Sequence, residues 1–506
     1  MKKTVLVVML LTILSKVFGF FRDIILAFFY GVSDISDAYL ISMTIPESFL
    51  LLIGTGIAIS FVPVYSRLEE TSGTELADKF TNRTANFIVV VCVAAGITGI
   101  VFTTPIVKLF ASGFDGETLA LSVMFTRISM IGLCFSGIVY IMTAYLQLKN
   151  NFVMPALIGL PLNMLIVLFI FLSDKFSLIL LPLGFVLAKV AQVLFLAPSM
   201  RKQGFCYEWT ISLKDAHFKK MFMLSLPIML GVSVNQLNVL VDRTIASQIA
   251  IGGISALNYA NNLNLFIQGI FVLSIATVMY PQISKMAAEG NESGLKKSVV
   301  EGINSIHLLV IPSTFGLMIF SGPVIELLLG RGAFDDTAIT LTSYALFFYA
   351  IGMAGFGIRE VISRAFYSLE DTKTPMINAA IAMVLNIILN IAFSRYLGIG
   401  GLALATSISG IFCALLLLYS LRKKLGPLGL KHIFTVMLKI IFASTVMAVA
   451  AAVVHSQLAE ITSLYLSLLM AVSVGAGIYL LTIALLKVDT IDAFVSEIKR
   501  KYKKAA

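Results

Sequence analysis

The chain has 506 residues, 58% of them hydrophobic and 13% charged, with a mean hydropathy of +0.96. Soluble domains carry about 25% charged residues, so these values exclude a soluble globular protein and point to many membrane-crossing helices. The surplus of 37 Lys and Arg over 27 Asp and Glu, +10 net, reads as cytoplasmic loop charge and not as a nucleic-acid footprint.

The chain opens with MKK and VLVVMLLTIL, which imitate a signal peptide, but no small-residue cleavage site follows. The run reads as an uncleaved first helix. Apolar runs of about 20 residues or more, long enough to span, fall at 4–30, 36–66, 84–110, 122–148, 153–173, 177–198, 220–250, 254–284, 302–329, 338–367, 375–396, 398–421, 432–454 and 461–486. That predicts an all-α polytopic protein with fourteen spans; a β-barrel would show short alternating segments instead. With the N-terminus inside, the inner loops and tails carry 25 basic residues and the outer loops three, Lys175, Arg331 and Arg395. The asymmetry predicts both termini on the cytoplasmic side. The four cysteines are scattered and so are the four histidines, so neither a disulfide framework nor a metal centre is expected.

Two halves of the chain look alike. FRDIILAFF around Arg22 parallels VDRTIASQI around Arg243, and SDAYLIS parallels ISALNYANN. FVPVYSRL parallels MYPQISKM, and YLQLKNNFVMP parallels FYSLEDTKTP. The offsets are 221 for the arginines, 218 for Pro63 and Pro281, and 220 for Pro155 and Pro375. An offset of six spans is even, so the repeat is parallel, as in several transporter folds. The expected division is an N-terminal lobe (1–200), a cytoplasmic linker (201–219), a C-terminal lobe (220–424), and two further helices with a basic tail (425–506).

No GxxxxGK[ST] phosphate loop, GxSxG elbow or HExxH pair is present, so the chain is not read as an enzyme. The informative residues are charges inside spans, which cost at least ~2.5–3.5 kcal/mol on insertion scales and normally face a protein interior or wet cavity. Ser15–Asp37 holds Lys16, Arg22 and Asp23, with Asp37 at its end; Lys16 and Asp23, seven apart, share a helix face. Lys189, Arg243 and Arg359 lie within later spans. The bland reading is snorkelling or internal pairing. The sharper one is a cationic cavity for an anionic cargo, because the planar guanidinium fork suits phosphate. A second group comprises Asn386 and Asn390, one turn apart, with Thr406 and Asp242, read either as helix-packing polar residues or as an oxygen cage for a small cation.

SKVFGFFRD, SDAY, FVPVYSR and FYSLEDTKTP resemble the MurJ (MviN) family of lipid II flippases, within the multidrug/oligosaccharidyl-lipid/polysaccharide exporter superfamily, and the likeness spans essentially the whole chain. The resemblance implies a two-lobed bundle with a central cationic cavity in the bacterial cytoplasmic membrane, alternating between inward- and outward-open states. It implies as cargo undecaprenyl-pyrophosphate-linked peptidoglycan precursor, as partners the membrane and cell-wall synthesis proteins, no nucleic acid, and a monomer. Arg22 falls on a family cavity arginine, Lys16 on a position usually basic, and Asp37 on a family acid. Asn262 stands where the family commonly has a third cavity arginine, with Arg243 or Arg359 as substitutes. The segment after Pro46, ESFLLLIGTG, lacks charges often found there. Asp242, Asn386, Asn390, Thr406 and the Leu402 carbonyl fall on positions similar to a family sodium site, so the resemblance offers sodium as the candidate ion, leaves the coupling ion open, and implies no cofactor. The competing readings are export of a capsule or O-antigen unit, drug/cation antiport, and a membrane scaffold.

Overall fold

The computed structural model describes residues 2–210 and 215–487, and every regular element among them is a helix. The expected basic tail beyond 487 and part of the linker lie outside the described residues. The first eight helices are α1 (Lys2–Tyr30), α2 (Asp34–Ser72), α3 (Thr74–Val101), α4 (Thr103–Phe110), α5 (Gly116–Leu148), α6 (Val153–Leu157), α7 (Gly159–Lys175) and α8 (Leu180–Lys202). The next eight are α9 (Ala216–Ile249), α10 (Gly253–Ala288), α11 (Glu292–Ile319), α12 (Ser321–Leu329), α13 (Asp336–Ser368), α14 (Lys373–Leu425), α15 (Leu430–Ala459) and α16 (Leu464–Leu485). Among the described residues eleven helices are long and apolar enough to cross a membrane, or twelve with the bent α9 counted as one span. α14 contains two of the expected spans, interrupted at Gly398, whose φ of 55° leaves the helical region. With α1, 29 residues long, the order is consistent with fourteen spans.

Three expected spans are interrupted, and proline explains each break. A proline ring clashes with the carbonyl four residues back and supplies no N–H. Pro105 sits four residues after Val101, the last residue of α3; Pro323 four after Ile319, the last of α11; Pro161 four after Leu157, the last of α6. The joints at Phe102 (φ −99°, ψ 28°) and Phe320 (φ −102°, ψ 21°) have nearly the same backbone geometry.

The repeat is visible bond by bond. Asn150 and Glu370, 220 apart, both have φ 58°. Asn150 N–H donates to the Gln147 carbonyl and Glu370 N–H to Tyr367. Asn151 N–H reaches back to Leu146, and Asp371 N–H to Phe366, each at about one hydrogen-bond length, 2.8 and 2.9 Å. The side-chain oxygens of Asn151 and Asp371 then accept the N–H three residues on, from Met154 and Thr374. The two turns therefore end α5 and α13, each of 33 residues, in the same way and start the next helix with the same cap.

The described structure divides into two compact units, residues 1–255 with 331–338, and residues 256–330 with 339–506. In the first, α2 is the central element and packs against α3, α5, α8 and α9. Its start is capped by the Ser33 hydroxyl, which accepts the Ser36 N–H. Tyr39, Phe61, Tyr65, Phe80, Phe125, Tyr145 and Phe185 fill the interior, each at most 2% exposed. In the second unit, Ile283, Val299, Ile303, Ile362, Phe366, Leu417 and Leu421 join α10, α11, α13 and α14. Ile311, Val436, Ile440, Tyr479 and Ile483 seat α15 and α16 on α11, and the Tyr479 hydroxyl donates to the Leu308 carbonyl at 2.6 Å. Leucines and isoleucines such as Ile97, Leu194 and Leu469 are well exposed, as expected where lipid replaces water as solvent.

Candidate functional site

Arg22 and Asp23 sit inside α1, where neither can reach bulk water without cost. Arg22 Nε and Nη2 both donate to a single Asp23 oxygen, Oδ1, at 3.1 and 2.8 Å. The carboxylate is nearly buried, 6% exposed, while the guanidinium keeps 22% exposure. Sharing one oxygen is a different arrangement from the parallel fork that binds two; it leaves Nη1 outside this ion pair. Lys16, a turn and a half earlier, is exposed, and among the described residues no acid pairs with it. Gly19 between them brings α1 close to Asn163 of α7: a Cβ there would stand 3.7 Å from the Asn163 amide nitrogen.

Two residues of α2 that sequence reasoning passed over complete this group. Tyr39 and Glu47 lie within electrostatic range of the Arg22 guanidinium, and Glu47 Oε1 pairs with Lys189 Nζ of α8 at 3.3 Å. Glu47 stands in the very segment after Pro46 that was read as lacking the family's charges. The signal that picked out Arg22, a charge in an apolar run, was present at Glu47 too.

Asp37 and Arg243 meet elsewhere in the first unit, at the turn between α9 and α10. Asp37 is 1% exposed, and its carboxylate accepts the N–H groups of Ser255 at 2.7 Å and Ile254 at 3.4 Å. These are first-turn amides of α10, where unpaired donors and the helix dipole favour an anion. Arg243 Nη1 donates to the Ile254 carbonyl at 3.1 Å, and its charge acts on Asp37. Neighbouring turns interlock here. Ala333 N–H donates to the Phe28 carbonyl at 2.8 Å, and Gly113 N–H to the Ser247 hydroxyl at 3.0 Å. Thr244 reaches the Leu109 carbonyl and Gln248 the Ser112 hydroxyl, at 2.8 and 2.6 Å. A Cβ on Gly113 would stand 2.2 Å from the Ser247 carbonyl oxygen, so the close approach requires glycine.

The second unit gathers Asn386, Asn390, Leu402 and Thr406. The Asn390 amide donates to Asn386 Oδ1 at 2.9 Å. The Asn386 amide points to the Ser409 and Thr406 hydroxyls at 3.2 and 3.4 Å, and Thr406 donates to the Leu402 carbonyl at 3.0 Å. Ser409 is the member that the sequence reading missed. The donor set is all oxygen, which suits a hard cation such as sodium; binding one would require the amide oxygens to turn toward it. Asp242 belongs to the first unit, with the Asn238 amide 3.4 Å from its Oδ2. Asn262 and Arg359 belong to the second, on α10 and α13. One turn beyond Arg359, Arg364 pairs with Glu360 at 2.9 Å. Among the described residues no three His, Cys, Asp or Glu side chains gather as a metal site.

The family described as "Lipid II flippase MurJ" matches residues 26–473. A relative named "Probable lipid II flippase MurJ" from Vibrio cholerae serotype O1 is 30% identical, over 82% of each chain. The solved structure titled "Lipid II flippase MurJ, inward closed conformation" superposes with a TM-score of 0.83 at 31% identity, covering 96% of this chain and all of that one. A multidrug resistance MATE family transporter of the MOP superfamily, inward-facing, shares the fold alone: TM-score 0.70, 15% identity, 82% of this chain and 95% of that one. The family match covers most of the chain and the superposition nearly all of it, and this chain belongs to the lipid II flippase MurJ family, a family of transporters and not of enzymes.

Proposed function

We propose that the protein moves lipid II, the undecaprenyl-pyrophosphate-linked peptidoglycan precursor, from the inner to the outer leaflet of the bacterial cytoplasmic membrane by alternating access. The observation that carries the reading is Arg22: a guanidinium inside a spanning helix, partly exposed and held by one oxygen of one buried carboxylate. Such a group is oriented without being used up, and it offers hydrogen bonds to a diphosphate oxygen. Lys16 adds a positive charge on the same helix, one that no acid among the described residues pairs with. The repeat halves act as the two lobes, both termini lie in the cytoplasm, and the chain works as a monomer beside cell-wall synthesis proteins.

No ATP site is needed. One elementary charge crossing 100 mV is worth about 2.3 kcal/mol, and an inside-negative potential drives an anionic cargo outward. Return of the emptied cationic site then wants a counter-ion, for which the Asn386–Asn390–Thr406 oxygens provide a sodium seat. The test is complementation of a strain depleted of its lipid II flippase. Wild type restores growth, Arg22→Ala does not although it inserts normally, and Arg22→Lys restores it in part because a point charge replaces the fork. Full growth with Arg22→Ala would remove Arg22 from cargo binding. Failure of the wild type would favour a different lipid-linked oligosaccharide as cargo.

A further inference from the structure

The first unit carries an open pocket of about 480 Å³ between α2, α5, α8 and Ile158, within the size range of small-ligand sites. Most of its wall is apolar, including Leu50, Val62 and Val139, but one corner is built from Lys189 and Gln192. These are three apart on α8 and so share a face. Lys189 is 8% exposed and Gln192 5%. The Gln192 amide is tied to the Ile158 carbonyl at 3.1 Å, at the break between α6 and α7. The Lys189 ammonium lies 5.0 Å from the centre of the Phe185 ring. Thr55, Tyr140 and Thr143 bring hydroxyls to the same space.

Burying an ammonium is costly unless its charge is well matched. The match here is lopsided. Glu47 approaches only to 3.3 Å, beyond the 2.7–2.9 Å of a strong charge-assisted bond, and its side chain is 48% exposed against 10% for Lys189. An ammonium carries three donors, and Glu47 accepts from one of them. If the pair served packing alone, the buried cation would be expected to hold its carboxylate closely and in the interior. A deep cation with a loose, half-open counter-ion at the edge of a cavity is the arrangement of an exchangeable anion site.

We propose that this cavity receives a carboxylate of the cargo's peptide, with Lys189 as the receiving cation and Glu47 as the resident anion it displaces. The assignment rests on the lipid II reading above. A carboxylate fits better than the diphosphate for a reason of charge: Lys189 and Glu47 sum to zero, so a monoanion replaces Glu47 without surplus. The multiply charged diphosphate is better met by the Arg22 fork. Glu47, also within range of Arg22, links the two positions, because displacing it from one cation frees it toward the other.

The test uses the purified full-length protein in lipid nanodiscs and three probes: lipid II, lipid II with its peptide carboxylates converted to amides, and undecaprenyl diphosphate. Wild type should bind the acid form about tenfold more tightly than the amide form, the scale of one charged hydrogen bond. Lys189→Gln should bind the two alike, Lys189→Arg should keep the preference, and Glu47→Gln should widen it by removing the competitor. Undecaprenyl diphosphate should bind wild type and Lys189→Gln equally, which also certifies that the variant is folded. A preference that survives in Lys189→Gln, or is absent from wild type that binds all three probes, overturns the carboxylate site alone. Wild type that binds none of the three overturns the lipid II reading and this site with it.

Discussion

Asp37 shows how far a residue's type can be read and where its partner must be seen. An acid beside a spanning segment is conspicuous in sequence, but its acceptors' partners are the backbone N–H groups of Ile254 and Ser255, over two hundred residues away. No side-chain pattern announces them. Lys189 was legible as a buried cation; its counter-ion Glu47 is 142 residues distant and no spacing links the two. The proposed sodium seat is the opposite case, since Asn386, Asn390 and Thr406 were readable from helical spacing and resemblance. If that seat holds sodium, saturable sodium binding to purified protein should fall at least tenfold in Asn390→Ala and in Thr406→Val. Binding unchanged in both would return the amides to helix packing. Asp371 supplies a pH test outside the spans. The Lys424 ammonium at 2.8 Å, then the Thr374 N–H, hold its carboxyl down at about 2. A depressed carboxyl contributes stability above its ordinary value of 3.8 and loses it as pH falls toward 2. Pepsin cleavage near 366–374 should therefore rise between about pH 4 and 2 in wild type. Asp371→Asn, already lacking the ion pair, should show no such step.

At the scale of elements, the spans were legible because about 20 apolar residues must be consecutive to cross a bilayer. The interruptions were not read, although Pro105, Pro161 and Pro323 were in view: a proline's effect falls four residues upstream, and a hydropathy window does not see it. The repeat was read from residue likeness, whereas its most exact correspondence is in the backbone. YLQLKNNFVMP and FYSLEDTKTP share few residues, yet Asn150 and Glu370 adopt the same left-handed conformation. That conformation is ordinary for Asn and costs most other L-residues about 1–2 kcal/mol. Glu370→Gly should then leave the melting temperature in detergent unchanged or higher. Glu370→Val, β-branched, should cost roughly 1–2 kcal/mol, and Asn150→Val a similar amount. Equal melting of Glu370→Val and wild type would mean that the turn is not held in this conformation in solution.

For the whole molecule, the fold class and family followed from hydropathy, charge asymmetry and motifs spread over the chain, because the bilayer limits the choices. Orientation rests on the 25 to three distribution of loop charge, and the protein's own cysteines allow it to be measured without introducing any. Cys206 is exposed in the linker after α8, while Cys92 and Cys413 are buried and Cys134 lies partly covered within α5. The linker stretch is held in place, with the Asn82 amide donating to the Cys206 carbonyl at 2.9 Å and the Tyr207 hydroxyl to Asn86 at 2.7 Å. Neither bond covers the Cys206 thiol. A membrane-impermeant maleimide reacts with thiolate in water, and thiols within spans are screened by lipid and protein. If the linker is cytoplasmic, intact spheroplasts should leave the protein unlabelled and inverted vesicles should label it once, with Cys206→Ser abolishing the signal. Labelling of Cys206 from outside intact cells would reverse the orientation. With it would go the proposed direction of transport, since an anion leaving the side where the cationic loops lie would then move inward, against an inside-negative potential.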